Sequence, residues 1–294
     1  MKRESITNVS DSGFSLFGTD ILSRPVLLSV PHAGRDYPDS VFDALRLPRA
    51  ALIRLEDRYA DLLTRKCVAL GYPVIIAHRA RAWIDLNRDE NDLDVEMVRG
   101  ADRDHYPAPG AKQRGGLGLI PRRLSGDGDL WKRQFQLEDV EDRVATFHRP
   151  YHATIARILE QMRQKFGVAV LLDLHSMPPI RPHDAAPPAQ FVIGDRFGKS
   201  AASQFAELIM ERIRCSGFRI ALNHPYSGEY ILNRHATPRA NIHGIQLEVD
   251  RSLYLGSDLR EPGAGLAQTT SLITDLVNAL SEEALGSSTL IAAE

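Results

Sequence analysis

Hydrophobic residues along the chain fall into short runs bounded by turn residues, a pattern typical of β-strands. These runs are rich in β-branched and aliphatic side chains and cover residues 26–30, 74–77, 82–86, 168–174, 218–222 and 245–249. They predict the strands of a central sheet.

Between several of these runs, apolar residues recur at three- and four-residue spacing, which predicts amphipathic helices. The clearest series cover residues 52–62 and 140–162, and further helices fit 199–214 and 266–280. Pro150 interrupts the second series and should kink or split that helix. Strands that alternate with helices indicate an α/β fold with a mixed, largely parallel sheet flanked by helices.

The length of 294 residues is compatible with one or two domains. No linker separates two halves, so we expect a single domain over residues 1–294. Residues 89–137 differ from the rest because they are polar, rich in Gly, Pro and Arg, and long for a connection inside a compact domain. We expect this segment to be a lid or an insertion.

Composition excludes several classes of protein. A hydrophobic share of 43% and a charged share of 25% are globular averages, and 36 basic against 38 acidic residues leave a net charge of −2, so nucleic acid is not expected as a partner. The first residues lack a signal-peptide pattern and no run is long enough to span a bilayer, which predicts a cytoplasmic protein with no membrane partner. Only Cys67 and Cys215 occur, so a metal site would have to use histidine and carboxylate.

Polar residues that end the apolar runs are candidates for chemistry, because ligands bind outside the carboxyl ends of strands in open α/β sheets. His32 and His175 follow or end two such runs, and both are suitable ligands for a catalytic zinc, which commonly takes three protein ligands and a water. A carboxylate would complete the set, with Asp57 and Asp36 as the nearest candidates. The alternative is that each histidine only bonds to backbone and that Asp57 forms helix-surface pairs with arginines.

Two further groups of residues suggest substrate contacts. Asn87 and Arg88 end the run at 82–86, and a guanidinium matches a carboxylate bidentately; Arg81 adds positive charge nearby. Glu248 alternates with its apolar neighbours and therefore faces either a site or solvent. A serine hydrolase and a nucleotide-dependent enzyme are disfavoured, because no nucleophile elbow, dinucleotide fingerprint or P-loop is present.

Six segments, taken together and in order, resemble the N-formylglutamate amidohydrolase family. They are SVPHAGRDYP, EDRYADLL, AWIDLNRDEND, LLDLHS, NHPYSGEYILNRH and HGIQLEVDRSLY, and they cover about residues 26–254. The resemblance implies the fold of the zinc carboxypeptidase-like hydrolases, which include aspartoacylase and succinylglutamate desuccinylase. It also implies one bound zinc ion.

The resemblance also implies roles for individual residues. His32 and His175 match the metal-binding histidines, and Glu248 matches the late catalytic glutamate. The relatives carry the acidic ligand three residues after the first histidine, where this chain has Arg35. Asp57 lies in a segment that the amidohydrolases share, so it is preferred over Asp36.

Four residues match positions that bind the acidic substrate in the resembling family. They are Arg81, Asn87, Arg88 and Arg234. The resemblance thus implies zinc-dependent hydrolysis of the formyl amide of N-formyl-L-glutamate, or of a similar small N-acyl acidic amino acid, and a place in histidine degradation. The alternatives are an aspartoacylase-like or carboxypeptidase-like hydrolase of another N-acyl amino acid, and a non-catalytic protein that binds acidic metabolites.

Overall fold

The computed structural model describes residues 13–124, 126–181 and 187–291, with side-chain environments to residue 286. The strands are β1 (Phe14–Phe17), β2 (Val26–Val30), β3 (Val74–Ala77), β4 (Val98–Arg99), β5 (Arg123–Leu124), β6 (Gly128–Asp129), β7 (Phe135–Gln136), β8 (Ala169–Met177), β9 (Phe191–Gly194), β10 (Ile220–Leu222) and β11 (Ile242–Asp250). The α-helices are α1 (Asp39–Ala44), α2 (Arg65–Ala69), α3 (Ala111–Arg114), α4 (Leu137–Arg143), α5 (Arg149–Phe166), α6 (Ser203–Cys215), α7 (Tyr230–His235) and α8 (Leu266–Ile291). None of the helices in these ranges is long and apolar enough to cross a membrane.

Seven strands form one sheet in the order β1-β3-β2-β8-β11-β9-β10. The pairs β3–β2, β2–β8, β8–β11 and β9–β10 are parallel, whereas β1–β3 and β11–β9 are antiparallel. The prediction of a mixed, largely parallel α/β sheet is therefore confirmed. The central strands β2, β8 and β11 are all parallel, so their carboxyl ends lie at the same edge of the sheet.

Side chains alternate between the two faces of the sheet, and each face has its own core. In β2, Leu27 packs in the cluster that contains Tyr151 and Ile155 of α5, whereas Leu28 packs with Phe205 of α6 and with α8 on the other face. All five residues of β2 and all nine of β8 are buried. The continuous apolar runs in the sequence follow from helices covering both faces.

The predicted helix over 140–162 contains an irregular turn just before Pro150. The chain runs through α4, a π-helical turn at Val144–His148 and then α5, with Pro150 in the first turn of α5. Pro lacks an amide hydrogen, so it is tolerated where the helical hydrogen bonds restart. His148, the last residue of the π-turn, is buried.

Two predicted elements differ from the structure. The run at 82–86 is not a strand but a series of turns, because it folds against the core while Asp85 points into the site described below. The helix predicted over 52–62 is two 3₁₀ segments, Arg49–Leu55 and Ala60–Thr64, separated by extended backbone at Glu56. In addition, the apolar runs do not predict strands β1 and β9.

Residues 89–137 contain α3 and the short strands β4 to β7. Several apolar side chains of this segment, among them Leu119, Leu130 and Trp131, are buried in the core cluster that includes α5. Lys112 and Leu117 reach the cavity described below. That the segment acts as a lid or insertion of a single domain stays a prediction.

Candidate metal centre and active site

The site is built at the edge where β2, β8 and β11 end. His32 follows β2 by two residues, and His175 and Glu248 lie near the ends of β8 and β11, where they are register partners. The turn after β2 is tight, since a Cβ on Gly34 would lie 2.1 Å from the carbonyl oxygen of Arg79. Glycine is the residue that fits such a close backbone approach.

Asp57 lies between the two 3₁₀ segments, and its side chain is close to both histidines. Its backbone N–H donates to the carbonyl oxygen of His32 at 2.9 Å. Its Oδ2 lies 3.0 Å from Nδ1 of His175 and 3.6 Å from Nδ1 of His32. One ligand atom from each of the three buried residues therefore lies within 4.8 Å of the others.

Asp36, the alternative carboxylate, lies elsewhere. Its Oδ2 accepts a hydrogen bond from Arg79 at 2.6 Å, and its side chain is 56% exposed. The structure thus brings Asp57, and not Asp36, to the two histidines.

Each histidine is oriented by a carboxylate behind it. Nε2 of His32 lies 2.7 Å from Oδ1 of Asp85, and Nε2 of His175 lies 2.8 Å from Oδ2 of Asp173. Since an ionised carboxylate only accepts, each Nε2 carries the hydrogen in the neutral ring, and Nδ1 keeps a lone pair directed at Asp57. Asp85 also accepts from Nε of Arg81 at 2.8 Å.

The remaining polar atoms fit a metal ion. Nδ1 of His32 is buried and has no hydrogen-bond partner in the described part of the chain. The second carboxylate oxygen of Asp57, Oδ1, accepts from Nη2 of Arg251 at 3.1 Å, which leaves Oδ2 facing the histidines. Two imidazole nitrogens and one carboxylate oxygen are a donor set typical of catalytic zinc.

The pKa values of the carboxyl groups in the site depend on the neighbouring side chains. Burial opposes ionisation of Asp57, but the neighbouring imidazoles of His175 and His32 outweigh it and hold the pKa of this carboxyl well below its usual range. Burial likewise opposes ionisation of Asp85, yet Arg81 and His32 keep its pKa well below the usual value. Both carboxylates are therefore ionised near neutral pH. An ionised carboxylate, as Asp57 provides here, is the form that binds a metal ion.

Glu248 lies beside this cluster and is held in one orientation. Its Oε1 accepts a hydrogen bond from Nε2 of Gln246 at 2.9 Å, and Gln246 lies on the same face of β11 two residues earlier. Burial raises the pKa of the Glu248 carboxyl above its ordinary value. A carboxylate with a raised pKa is a better proton acceptor than an exposed one.

These residues line a cavity of about 200 Å³. The structure places His32, Asp57, His175, Glu248, Arg81, Asn87 and Arg88, all expected from the sequence, around it, together with Arg54, Lys112, Leu117, Ser176, Met177, Pro178, Tyr226, Glu229, Gln246 and Arg251. Arg234 is not among the lining residues. It lies on α7, where it donates to the hydroxyl of Tyr230.

Asn87 lines the cavity, but its side-chain amide forms hydrogen bonds to other residues of the protein. Its Oδ1 accepts from the backbone N–H of Ile231 at 2.8 Å, which fixes the start of α7, and its Nδ2 donates to Oε1 of Gln246 at 3.4 Å. Its contacts therefore connect α7 to the side chain that orients Glu248.

Comparison with known proteins identifies the family of this chain. The model of the N-formylglutamate amidohydrolase family matches residues 24–255, which include every residue placed at the metal centre. The chain belongs to this family. Among N-formylglutamate amidohydrolase relatives, it is 32% identical over 234 residues to the N-formylglutamate deformylase of Pseudomonas putida, covering 79% of this chain and 82% of that protein.

Two further similar proteins extend the match. The N-formylglutamate deformylase of Pseudomonas aeruginosa is 29% identical over 266 residues, or 87% of this chain and 92% of that protein. The crystal structure of N-formylglutamate amidohydrolase from Ralstonia eutropha JMP134 superposes with a TM-score of 0.85 at 28% identity, covering 93% of this chain and 98% of that one. The similarity of fold thus extends over nearly the whole chain.

Several residues of the site were not assigned from the sequence. Asp173 lies two residues before His175 on the same strand face, a spacing that could have revealed it. Gln246 likewise lies two residues before Glu248 on one strand face. Asp85 and Arg251 contact residues that are distant in the sequence, and Lys112 pairs with a residue 117 positions away. Sequence spacing holds no signal for such pairs.

Proposed function

We propose that this chain is a zinc-dependent hydrolase that cleaves the formyl amide of N-formyl-L-glutamate, or of a similar N-acyl acidic amino acid, into formate and the free amino acid. The observation that carries the proposal is the convergence of His32, Asp57 and His175 beside the buried carboxyl of Glu248. The names of the Pseudomonas relatives support the choice of substrate.

Zinc would be held by Nδ1 of His32, Nδ1 of His175 and Oδ2 of Asp57. When bound, such an ion polarises an amide carbonyl and lowers the pKa of a bound water to about 7. Asp85 and Asp173 would keep both imidazoles in the tautomer that offers Nδ1.

Glu248 would act first as the general base and then as the general acid. As water adds to the formyl carbon, its carboxylate accepts the proton of the water and then delivers it to the amide nitrogen while the C–N bond breaks. Gln246 keeps one carboxylate oxygen occupied, so the other is free for this transfer. Formate and the amino acid are the products.

The cationic side chains of the cavity support an acidic substrate. Arg81 and the buried Arg88 line the same cavity as the metal centre, and Lys112 reaches this cavity from α3. N-formylglutamate carries two carboxylates, each of which needs a positive partner when it leaves water.

The direct test measures metal content and formate release on the same preparation. We expect one zinc per chain after loading, formate release from N-formyl-L-glutamate, and loss of that activity after chelation with recovery on adding zinc. N-acetyl-L-aspartate serves as the competing substrate.

Faster turnover of N-acetyl-L-aspartate would reassign the acyl group and favour an aspartoacylase-like enzyme. A protein that binds glutamate but neither retains zinc nor releases formate would be a binding protein, which contradicts the proposal.

A further inference from the structure

The cavity contains a carboxylate of the protein itself where a substrate carboxylate is expected. Oε2 of Glu229 lies 3.2 Å from Nη1 of Arg88, and Oε1 of Glu229 accepts a hydrogen bond from Lys112. All three residues line the cavity that contains the metal centre. A glutamate side chain thus joins the two cations of this wall.

Arg88 is buried and held by the backbone, whereas Glu229 and Lys112 are partly exposed. Its backbone N–H donates to the Asp85 carbonyl at 3.2 Å and its own carbonyl accepts from Nε2 of His148 at 2.9 Å. Its side chain is only 7% exposed, compared with 28% for Glu229 and 44% for Lys112. The Glu229 side chain can therefore leave without opening the core.

The contact between Glu229 and Arg88 involves only one of the guanidinium nitrogens. Of the Arg88 nitrogens, only Nη1 is within hydrogen-bond distance of Glu229. The buried Nε of Arg88 has no hydrogen-bond partner in the described ranges. It lies 3.9 Å from Oδ2 of Asp85. A guanidinium binds a carboxylate best through two parallel N–H bonds. An incoming carboxylate could make this bidentate contact, so it can compete with Glu229.

We infer that Glu229 is an internal substitute for a substrate carboxylate, which leaves Arg88 and Lys112 when the substrate's own carboxylate binds them. The choice of incoming anion rests on the proposed function. A buried guanidinium is costly unless carboxylates bond to it; Asp85 approaches Arg88 only to 3.9 Å, and Glu229 supplies a carboxylate within hydrogen-bond distance. Glu229 and Lys112 are then specificity-determining residues, since release of this pair requires an anion.

The experiment measures the affinity of glutarate by isothermal titration calorimetry. Glutarate has the two carboxylates of glutamate but no amide to hydrolyse, so binding is separated from turnover. We expect Glu229→Gln to bind glutarate about 5- to 10-fold more tightly than the parent, because the internal competitor is weakened. Lys112→Met should bind it about 5- to 10-fold more weakly.

Matched controls remove the same charges elsewhere. Glu90→Gln breaks the pair with Arg149 outside the cavity, and Lys132→Met removes an exposed lysine of the same 89–137 segment. Neither should change glutarate affinity. Glutaramide, which is neutral, should bind no better to Glu229→Gln than to the parent.

The double variant Glu229→Gln/Lys112→Met separates two roles of the lysine. If Lys112 contacts the ligand, its loss weakens glutarate binding in the Glu229→Gln background as well. No effect there would restrict Lys112 to neutralising Glu229 and overturn its assignment to specificity. Unchanged or weaker glutarate binding by Glu229→Gln would overturn the exchange itself.

This outcome is independent of the proposed reaction. Tighter glutarate binding by Glu229→Gln in a protein that releases no formate would retain the exchange and refute the deformylase. Formate release with unchanged glutarate affinity in Glu229→Gln would support the deformylase and refute the exchange.

Discussion

At the scale of single residues, the site depends on which atoms remain available after the protein's own contacts are made. His32 and His175 commit Nε2 to Asp85 and Asp173, and Asp57 commits Oδ1 to Arg251. Two Nδ1 atoms and one oxygen are left facing each other. Buried contacts of this kind fix the side chains before a ligand arrives, which lowers the cost of binding.

Substitution of Glu248 separates a proton acceptor from a metal ligand. Glu248→Gln should keep its zinc and its substrate affinity but lose about 10²- to 10⁴-fold in turnover, because the amide cannot accept the proton. Zinc content, melting temperature and formate release measured together check this, with Glu90→Gln as the matched control. Near parental turnover would remove Glu248 from the role of base, and loss of zinc would make it a ligand.

The two candidate acidic ligands can be compared directly. Asp57→Asn should weaken zinc affinity by more than about 100-fold, since it removes a ligand oxygen and not merely an outer contact. Asp36→Asn should leave zinc affinity unchanged, because Asp36 only pairs with Arg79 on the surface. Competition with a zinc-binding dye gives both affinities. The reverse order of effects would exclude Asp57 as a ligand.

At the scale of elements, a buried histidine contact joins α5 to α7. Nδ1 of His152 lies 2.9 Å from Nε2 of His235, and the two rings stack with centroids 5.2 Å apart. Burial lowers the pKa of His235 to about 3, and it holds the pKa of His152 well below the usual value. Both rings are therefore neutral in the folded protein near neutral pH. This contact holds the carboxyl end of α7, the helix whose amino end is preceded by Glu229.

The lowered pKa of His235 makes stability depend on pH in a definite direction. The unfolded chain binds a proton near pH 6.5 and the folded protein only near pH 3, so stability present above pH 6.5 is lost as the pH falls between these values. Moving from pH 8 to pH 5 should cost about 2 kcal/mol through this one group.

His235→Gln should reduce this pH-dependent loss, since glutamine does not titrate. Urea unfolding at pH 8 and pH 5 gives the difference, and His105→Gln, at an exposed histidine, is the control. An equal loss in the parent and in His235→Gln would show that His235 is not kept neutral by folding.

At the scale of the whole molecule, the metal centre connects distant parts of the chain. His32 follows β2, Asp57 lies between two 3₁₀ segments, and His175 is in β8, at the centre of the sheet. An ion that binds all three stabilises the folded state, because the unfolded chain has no such arrangement of ligands. Binding of zinc and stability of the fold should therefore be linked.

Zinc should raise the melting temperature of the parent protein. At a free zinc concentration of 100 times Kd the expected gain is about 2.7 kcal/mol, or roughly 4 °C for a chain of this size. Scanning calorimetry with and without zinc measures the shift. His175→Ala should lose it and His105→Ala should keep it; a shift retained in His175→Ala would place the stabilising ion elsewhere.

The pattern of apolar residues determined the class of the fold and the central strands. The runs that became β2, β3, β8 and β11 were readable because strands buried on both faces must be almost wholly apolar. Polar residues at the ends of such runs, such as His32 and His175, were readable for the same reason, since they interrupt an apolar pattern. The run at 82–86 has the same composition but forms turns, because packing against the core does not require pairing in a sheet.

Tertiary structure alone decided the contacts between residues that are distant in sequence. It selected Asp57 over Asp36, because a backbone hydrogen bond to His32 brings Asp57 to the metal centre. It left Arg234 out of the residues that line the cavity and joined Lys112 to Glu229. Local spacing predicts strands and helices because these depend on neighbouring residues, whereas a binding site depends on how the ends of separate elements meet in space.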